Sequence, residues 1–166
     1  MNSTEFTIEA CFQVRSIYDT GAVRTIAAKW NGDNKQVGWM LGVTGKGSRR
    51  KPQTLVMQLF GKSQDGSLKE AALFSDQNIE LNTPYFVAVT FKPATTVSAS
   101  GIVTFHLKNL ANADELLGSV SVPHNVIEGL HNDLPLTLGF RQGAAESSFD
   151  GLIDDVRLSA TALGVD

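Results

Sequence analysis

Phe6, Ile8, Ala10, Phe12 and Val14 alternate with Thr7, Glu9, Cys11, Gln13 and Arg15. A strict period of two suits an extended strand that buries one face, whereas a helix would scatter those apolar residues around its circumference. Similar β-branched and aromatic runs follow at 23–30, 37–43, 55–60, 68–74, 85–91, 102–107, 119–122, 136–140 and 152–158. Between them lie Asn31-Gly32-Asp33, Gly45 to Gly47, Asp65-Gly66, Asn82-Thr83-Pro84 and Gly101, residue types that accept or preset turn geometry. The prolines Pro52, Pro84, Pro93, Pro123 and Pro135 sit between runs or at their ends, where no ladder hydrogen bond is lost. Only two places suggest helix: 109–117, where Leu110, Ala113, Leu116 and Leu117 have helical spacing, and a last turn from Ser159. With no helical layer to cover the strands, the pattern predicts an all-β fold, two antiparallel sheets packed as a sandwich with little helix. Its core should hold Phe6, Ile8, Phe12, Val87, Val89, Phe91, Leu138 and Ile153.

At 166 residues the chain suffices for one domain with a sizeable core, and neither a repeat nor a composition shift marks a second. Fourteen Lys and Arg against seventeen Asp and Glu give a net charge of −3, which argues against a general nucleic-acid partner. No apolar stretch approaches the roughly 20 residues of a membrane-spanning helix, so no membrane insertion is expected. The start Met-Asn-Ser-Thr-Glu-Phe lacks the basic and apolar regions of a signal peptide. Cys11 is the single cysteine, so neither an intrachain disulfide nor a cysteine-based zinc site can form, and an inert half-buried thiol is the expectation.

Several segments, taken in order, resemble the concanavalin A-like lectin and glucanase superfamily in its laminin G-like branch. Phe6-Thr7-Ile8-Glu9-Ala10 resembles the first well-marked strand of that family, which usually continues with Trp where this chain has Cys11. Ile26-Ala27-Ala28-Lys29-Trp30 resembles its second and Gly38-Trp39-Met40-Leu41 its third. The stretch 81–91 is similar to the segment in which a turn delivers an aromatic into a central strand. Leu136-Thr137-Leu138-Gly139 and the stretch 149–158 are similar to the closing strands. The resemblance implies one laminin G-like jelly-roll domain over 1–166, excised from a larger extracellular, cell-surface or periplasmic protein. It also implies a further strand before Phe6. A sandwich lacking that strand would expose an unpaired edge, covered either by a second copy of the chain, giving a homodimer, or by the segment 160–166.

Glucanases on this jelly roll carry a Glu-x-Asp-x-x-Glu strand, and no such pattern occurs here. Gly-x-Ser-x-Gly is absent too, and nothing pairs His106, His124 or His131 with a particular Ser. Catalysis therefore has no constellation to use. Calcium is the one candidate cofactor, because hard cations take oxygen ligands from loop carboxylates and amides. Asp154 and Asp155 are its first candidates, with Asp33, Asn34 and Asp76 as loop partners, set against a purely structural role for the same residues. On a regular strand, adjacent Asp154 and Asp155 would point to opposite faces. The stretch 45–52 holds Lys46, Arg49, Arg50 and Lys51 but lacks the glycine spacing of a P-loop. It reads as a solvated hairpin tip or as a docking loop for an anionic polysaccharide. Trp30, Trp39, Tyr18 and Tyr85 could stack on a sugar, although aromatics on strands more often fill a core.

The function that follows is a non-catalytic binding module. It would meet a glycan or a protein ligand through the loops holding Asn31, Asp33, Asn34, Lys46, Arg49, Arg50 and Lys51. The alternatives are an interaction domain that binds no sugar and, with less support, a glycosidase whose catalytic residues go unrecognised.

Overall fold

The computed structural model describes residues 4–94 and 100–164. The strands are β1 (Phe6–Val14), β2 (Val23–Lys29), β3 (Gly38–Thr44), β4 (Thr54–Lys62), β5 (Leu68–Asn78), β6 (Tyr85–Lys92), β7 (Gly101–Asn109), β8 (Gly118–His124), β9 (Thr137–Leu138) and β10 (Gly151–Ser159). They form two five-stranded antiparallel sheets, ordered β10-β1-β6-β7-β8 and β5-β4-β3-β2-β9. A single 3-10 turn, Ala145–Ser147, is the one helical element among the described residues.

Alternation decides which face each strand buries. In the first sheet Ile8, Val87, Val89, Phe91, Val103 and Phe105 point inward and are wholly buried, and in the second Leu41, Val43, Leu55, Met57 and Leu59 meet them. Phe6 joins the sheets, stacked on Trp39 at 5.1 Å between centroids and on Phe91 at 5.3 Å. Each such side chain contributes roughly 1.5–3 kcal/mol by leaving water.

Of the expected core, Phe6, Ile8, Phe12, Val87, Val89 and Phe91 are buried, and Ile153 is half-buried against them. Leu138 is not: it remains 45% exposed, because its strand shrinks to two residues at the sheet edge, where it borders an open hollow beside β10. The helix expected at 109–117 is likewise absent. Asn109 Oδ1 accepts the Ala111 N–H at 2.9 Å and Asn112 Oδ1 accepts the Asp114 N–H at 3.2 Å, turns that take backbone donors away from a helix. Ser159 ends β10, and no helical turn follows it among the described residues.

Strand β1 is not an edge. It pairs with β6 on one side and β10 on the other, so the bare row anticipated beside Phe6 does not exist there. The chain after β10 folds over the start of β1: Thr7 Oγ1 donates to the Thr161 carbonyl and accepts the Leu163 N–H, both at 2.8 Å. Val165 and Asp166, the end of that segment, lie outside the described residues.

Candidate functional site

Because Leu41, Val43, Leu55, Met57 and Leu59 point into the core, Met40, Val56, Gln58 and Phe60 stand on the outer face of the second sheet. Most of these outward residues are nonetheless hidden: Met40 and Val56 are 1% exposed and Phe60 5%. Chain folded over this face accounts for their burial. At one end Trp30 lies flat on Phe60 at 5.6 Å, and the Arg141 guanidinium sits 5.3 Å from the Trp30 ring centre. Gly32 packs directly against that guanidinium.

What remains open is a groove of two adjoining hollows. One, of about 170 Å³, is bounded by Met40, Gln58, Arg141, Glu146 and Ser147. The other, of about 290 Å³, is bounded by Arg49, Val56, Glu70 and Phe74, and Gly21, Val23 and Gln58 border both. Together they reach the range of small-molecule sites, roughly 300–1,000 Å³.

Two polar atoms at this groove are buried without a hydrogen-bond partner, Gln58 Oε1 and Arg141 Nε. The Gln58 amide nitrogen makes only a long contact, 3.4 Å, to Glu70 Oε1. Leaving a buried donor or acceptor unpaired costs about 1–3 kcal/mol, so a fold tolerates such groups mainly where something else completes them. One acceptor and one donor at a single groove match a hydroxyl-bearing ligand, since a hydroxyl both gives and takes a hydrogen bond.

The loops named from the sequence surround this groove more than they line it. Asn31 Oδ1 accepts the Asp33 N–H and Asp33 Oδ1 accepts the Lys35 N–H, both at 2.9 Å. The Asp33 carbonyl in turn takes the Trp30 indole N–H at 3.0 Å, so this turn fixes the ring that walls the groove, while Asn34 is exposed. Lys46 is bound to Asp19, Arg50 reaches Asp76 at 3.0 Å, and Lys51 is exposed at the hairpin tip. Arg49 alone of the seven enters the groove. The sequence reading missed Gln58, Arg141 and Glu146. Gln58 carried a signal: it is the one polar residue in Leu55 to Phe60, at an outward position of an otherwise apolar strand. Arg141 carried none, because its place depends on how the 139–149 loop folds back.

Among the aromatics, Trp39 and Tyr85 are in the core, and Tyr18 lies beneath the Arg24 guanidinium at 3.7 Å. Of the four candidate calcium carboxylates only Asp154 and Asp155 are neighbours. Asp33 is committed to its turn, Asp76 faces Arg50, and Asp154 Oδ1 accepts the Asp155 N–H at 2.8 Å. Asp155 itself has φ +50° in a bulge against β1, so the pair does not follow regular alternation. Among the described residues no three His, Cys, Asp or Glu side chains form a cluster. Burial and the nearby Asp155 and Asp154 push the Cys11 thiol above its ordinary value, which keeps it protonated and unreactive.

A larger hollow, about 420 Å³, opens at the far edge between the β4–β5 turn and the end of β8. Its polar side chains mostly bond one another or the backbone, although His124 Nε2 is buried without a partner. Asp65 accepts from Ser63, Ser67 and Lys69, and His124 Nδ1 accepts the Val126 N–H.

A family model for the concanavalin A-like lectin/glucanases superfamily matches residues 1–166. No curated protein matches the chain. Among solved structures, the chain is similar to the CBM40 of the Ruminococcus gnavus IT-sialidase bound to α2,3-sialyllactose: TM-score 0.58, 14% identity, 98% of this chain and 78% of that one. It is also similar to the heptameric SAP-like pentraxin of Limulus polyphemus, with TM-score 0.53 and 14% identity over 98% of this chain and 66% of that one. At such identities these likenesses establish the fold.

Proposed function

The chain belongs to the concanavalin A-like lectin/glucanases superfamily, and on that footing we propose that it is a non-catalytic glycan-binding module whose ligand lies in the groove over the second sheet. The observation that carries this reading is the pair of buried, unpartnered polar atoms, Gln58 Oε1 and Arg141 Nε, at one hollow. The likeness to a carbohydrate-binding module seen with a sialylated sugar supports it. Arg49, which has no ion pair among the described residues, and Arg141 put two guanidinium groups at the groove and favour a sugar bearing a carboxylate or sulfate, which arginine holds bidentately. The groove's carboxylates, Glu70 and Glu146, border different hollows, and Glu70 is engaged with Gln58, so they do not form a working acid–nucleophile pair. Such a module would serve a larger protein outside the cytoplasm.

The test is a glycan array of neutral and acidic sugars, followed by calorimetry on the strongest ligand in low and high salt. Gln58→Ala and Arg141→Ala should each weaken binding roughly ten- to hundredfold, the worth of a buried or charged hydrogen bond. Affinity for an acidic sugar should fall as salt rises, and Lys108→Ala, on the opposite sheet, should change nothing. An array without hits, or a ligand that binds both groove variants as well as it binds the parent, would sink the proposal.

A further inference from the structure

Strand β10 is the outermost strand of its sheet; it pairs with β1 and, among the described residues, with nothing on its other side. The Arg15 N–H bonds the Asp150 carbonyl at 2.8 Å, which sets the alternation of the ladder. Leu152 and Asp154 therefore aim their backbone groups at β1, and Ile153 aims its own outward. The bulge at Asp155 adds one residue, so that Glu9 faces Arg157 and Thr7 faces Ser159. Beyond the bulge it is consequently Leu158 whose backbone groups face outward.

We propose that this edge pairs with the same edge of a second copy, antiparallel about a two-fold axis between Asp155 and Val156. In that register Ile153 of one copy stands opposite Leu158 of the other, and Asp154 opposite Arg157, each contact occurring twice. The outward-facing Ile153 and Leu158 are the residues an antiparallel ladder would bond, and the bulge is what brings them into step. Their side chains lie on the core side, half-buried. Asp154 and Arg157 are exposed on the other face, and among the described residues neither has an ion-pair partner. The charges are thus self-complementary, which is what an isologous interface requires. Beside the edge lies a hollow of about 500 Å³ bordered by Leu138, Phe149, Ile153 and Val156 together with Asp154 and Asp155, with Leu138 45% exposed. The pairing covers that seam and closes after two copies, so the bare edge does not propagate into a fibre. It also carries two grooves on one particle, which raises avidity for a repeating ligand.

Sedimentation of the 166-residue chain from micromolar to millimolar concentration should show a monomer–dimer equilibrium. Asp154→Arg alone sets like charges against Arg157 and should weaken the dimer roughly ten- to hundredfold; Arg157→Asp alone should do the same. The double reversal, Asp154→Arg with Arg157→Asp, restores both pairs and should recover the parental constant. Melting curves establish that all three variants fold. A monomer at every concentration overturns the proposal, as does a dimer indifferent to the single reversals or a folded double variant that does not recover. A chain that stays monomeric yet takes up a synthetic extended peptide along β10 would assign the edge to a foreign strand and overturn the two-fold pairing.

Discussion

His124 ends β8 with its imidazole stacked on Phe91, 5.1 Å between centroids and 10° between planes, and its Nδ1 accepting the Val126 N–H at 3.1 Å. An acceptor Nδ1 means the neutral ring is the folded form. Burial pushes its pKa down to about 4, outweighing the small opposite effect of the Lys92 and Ile102 carbonyls. Unfolded, the same ring titrates near 6.5, so between roughly pH 6.5 and 4 the unfolded chain binds the extra proton. Stability should therefore be intact above that window and fall by about 3 kcal/mol as pH drops through it. Melting temperatures from pH 7.5 to 4 would show this, and His124→Phe, although less stable for want of an acceptor for Val126, should flatten that part of the profile. An unchanged slope in the variant would move the acid sensitivity to another group.

Between β7 and β8, residues 109–117 show how an element can be suggested by spacing and refused by surroundings. Leu110, Ala113, Leu116 and Leu117 repeat as a helix would, but a helix of that length is marginal without a surface to bury against. Here the Leu110 N–H goes to the Pro84 carbonyl, two asparagine side chains hold the following turns, and Leu116 is left 86% exposed. Leu116→Ala should then change stability by no more than about 0.5 kcal/mol, as surface substitutions do, against about 2–5 for a leucine packed in a core. Asn109→Ala, which removes an acceptor for Ala111, should cost more than Leu116→Ala. Denaturant unfolding of both variants ranks them, and the reverse order would mean that the leucine packs after all.

At the scale of the whole molecule the two sheets act as one body because aromatic side chains cross between them. Phe6, near the start of the described chain, stacks on Trp39 of the opposite sheet and on Phe91 of its own, and is 6% exposed. Phe6→Ala should cost about 3–5 kcal/mol, the usual price of a large buried aromatic. For a chain of this size that lowers the melting temperature by roughly 6–20 °C in a single cooperative transition. Calorimetry decides it; two separated transitions would show that the sheets unfold independently.

The alternation of Phe6 to Val14, and the shorter runs after it, determined by themselves that this chain folds as paired sheets. Side-chain direction in a strand is a local matter, fixed by the pleat every two residues, so nearly every strand and most of the core were legible before any contact was known. The groove was not. Gln58 shows only that one outward position is polar. That its Oε1 is buried and unpaired, and that Arg141 from a loop more than eighty residues later stands at the same hollow, depends on where the 139–149 segment folds back over the sheet. No local preference encodes that path. The register of β10 is likewise tertiary: Asp154 and Asp155 look interchangeable in the sequence, and only the bulge against β1 turns one into a kink and leaves the other on an open edge. Periodicity reports which face of each strand is buried; a site made from different strands and a returning loop exists only once those pieces have packed.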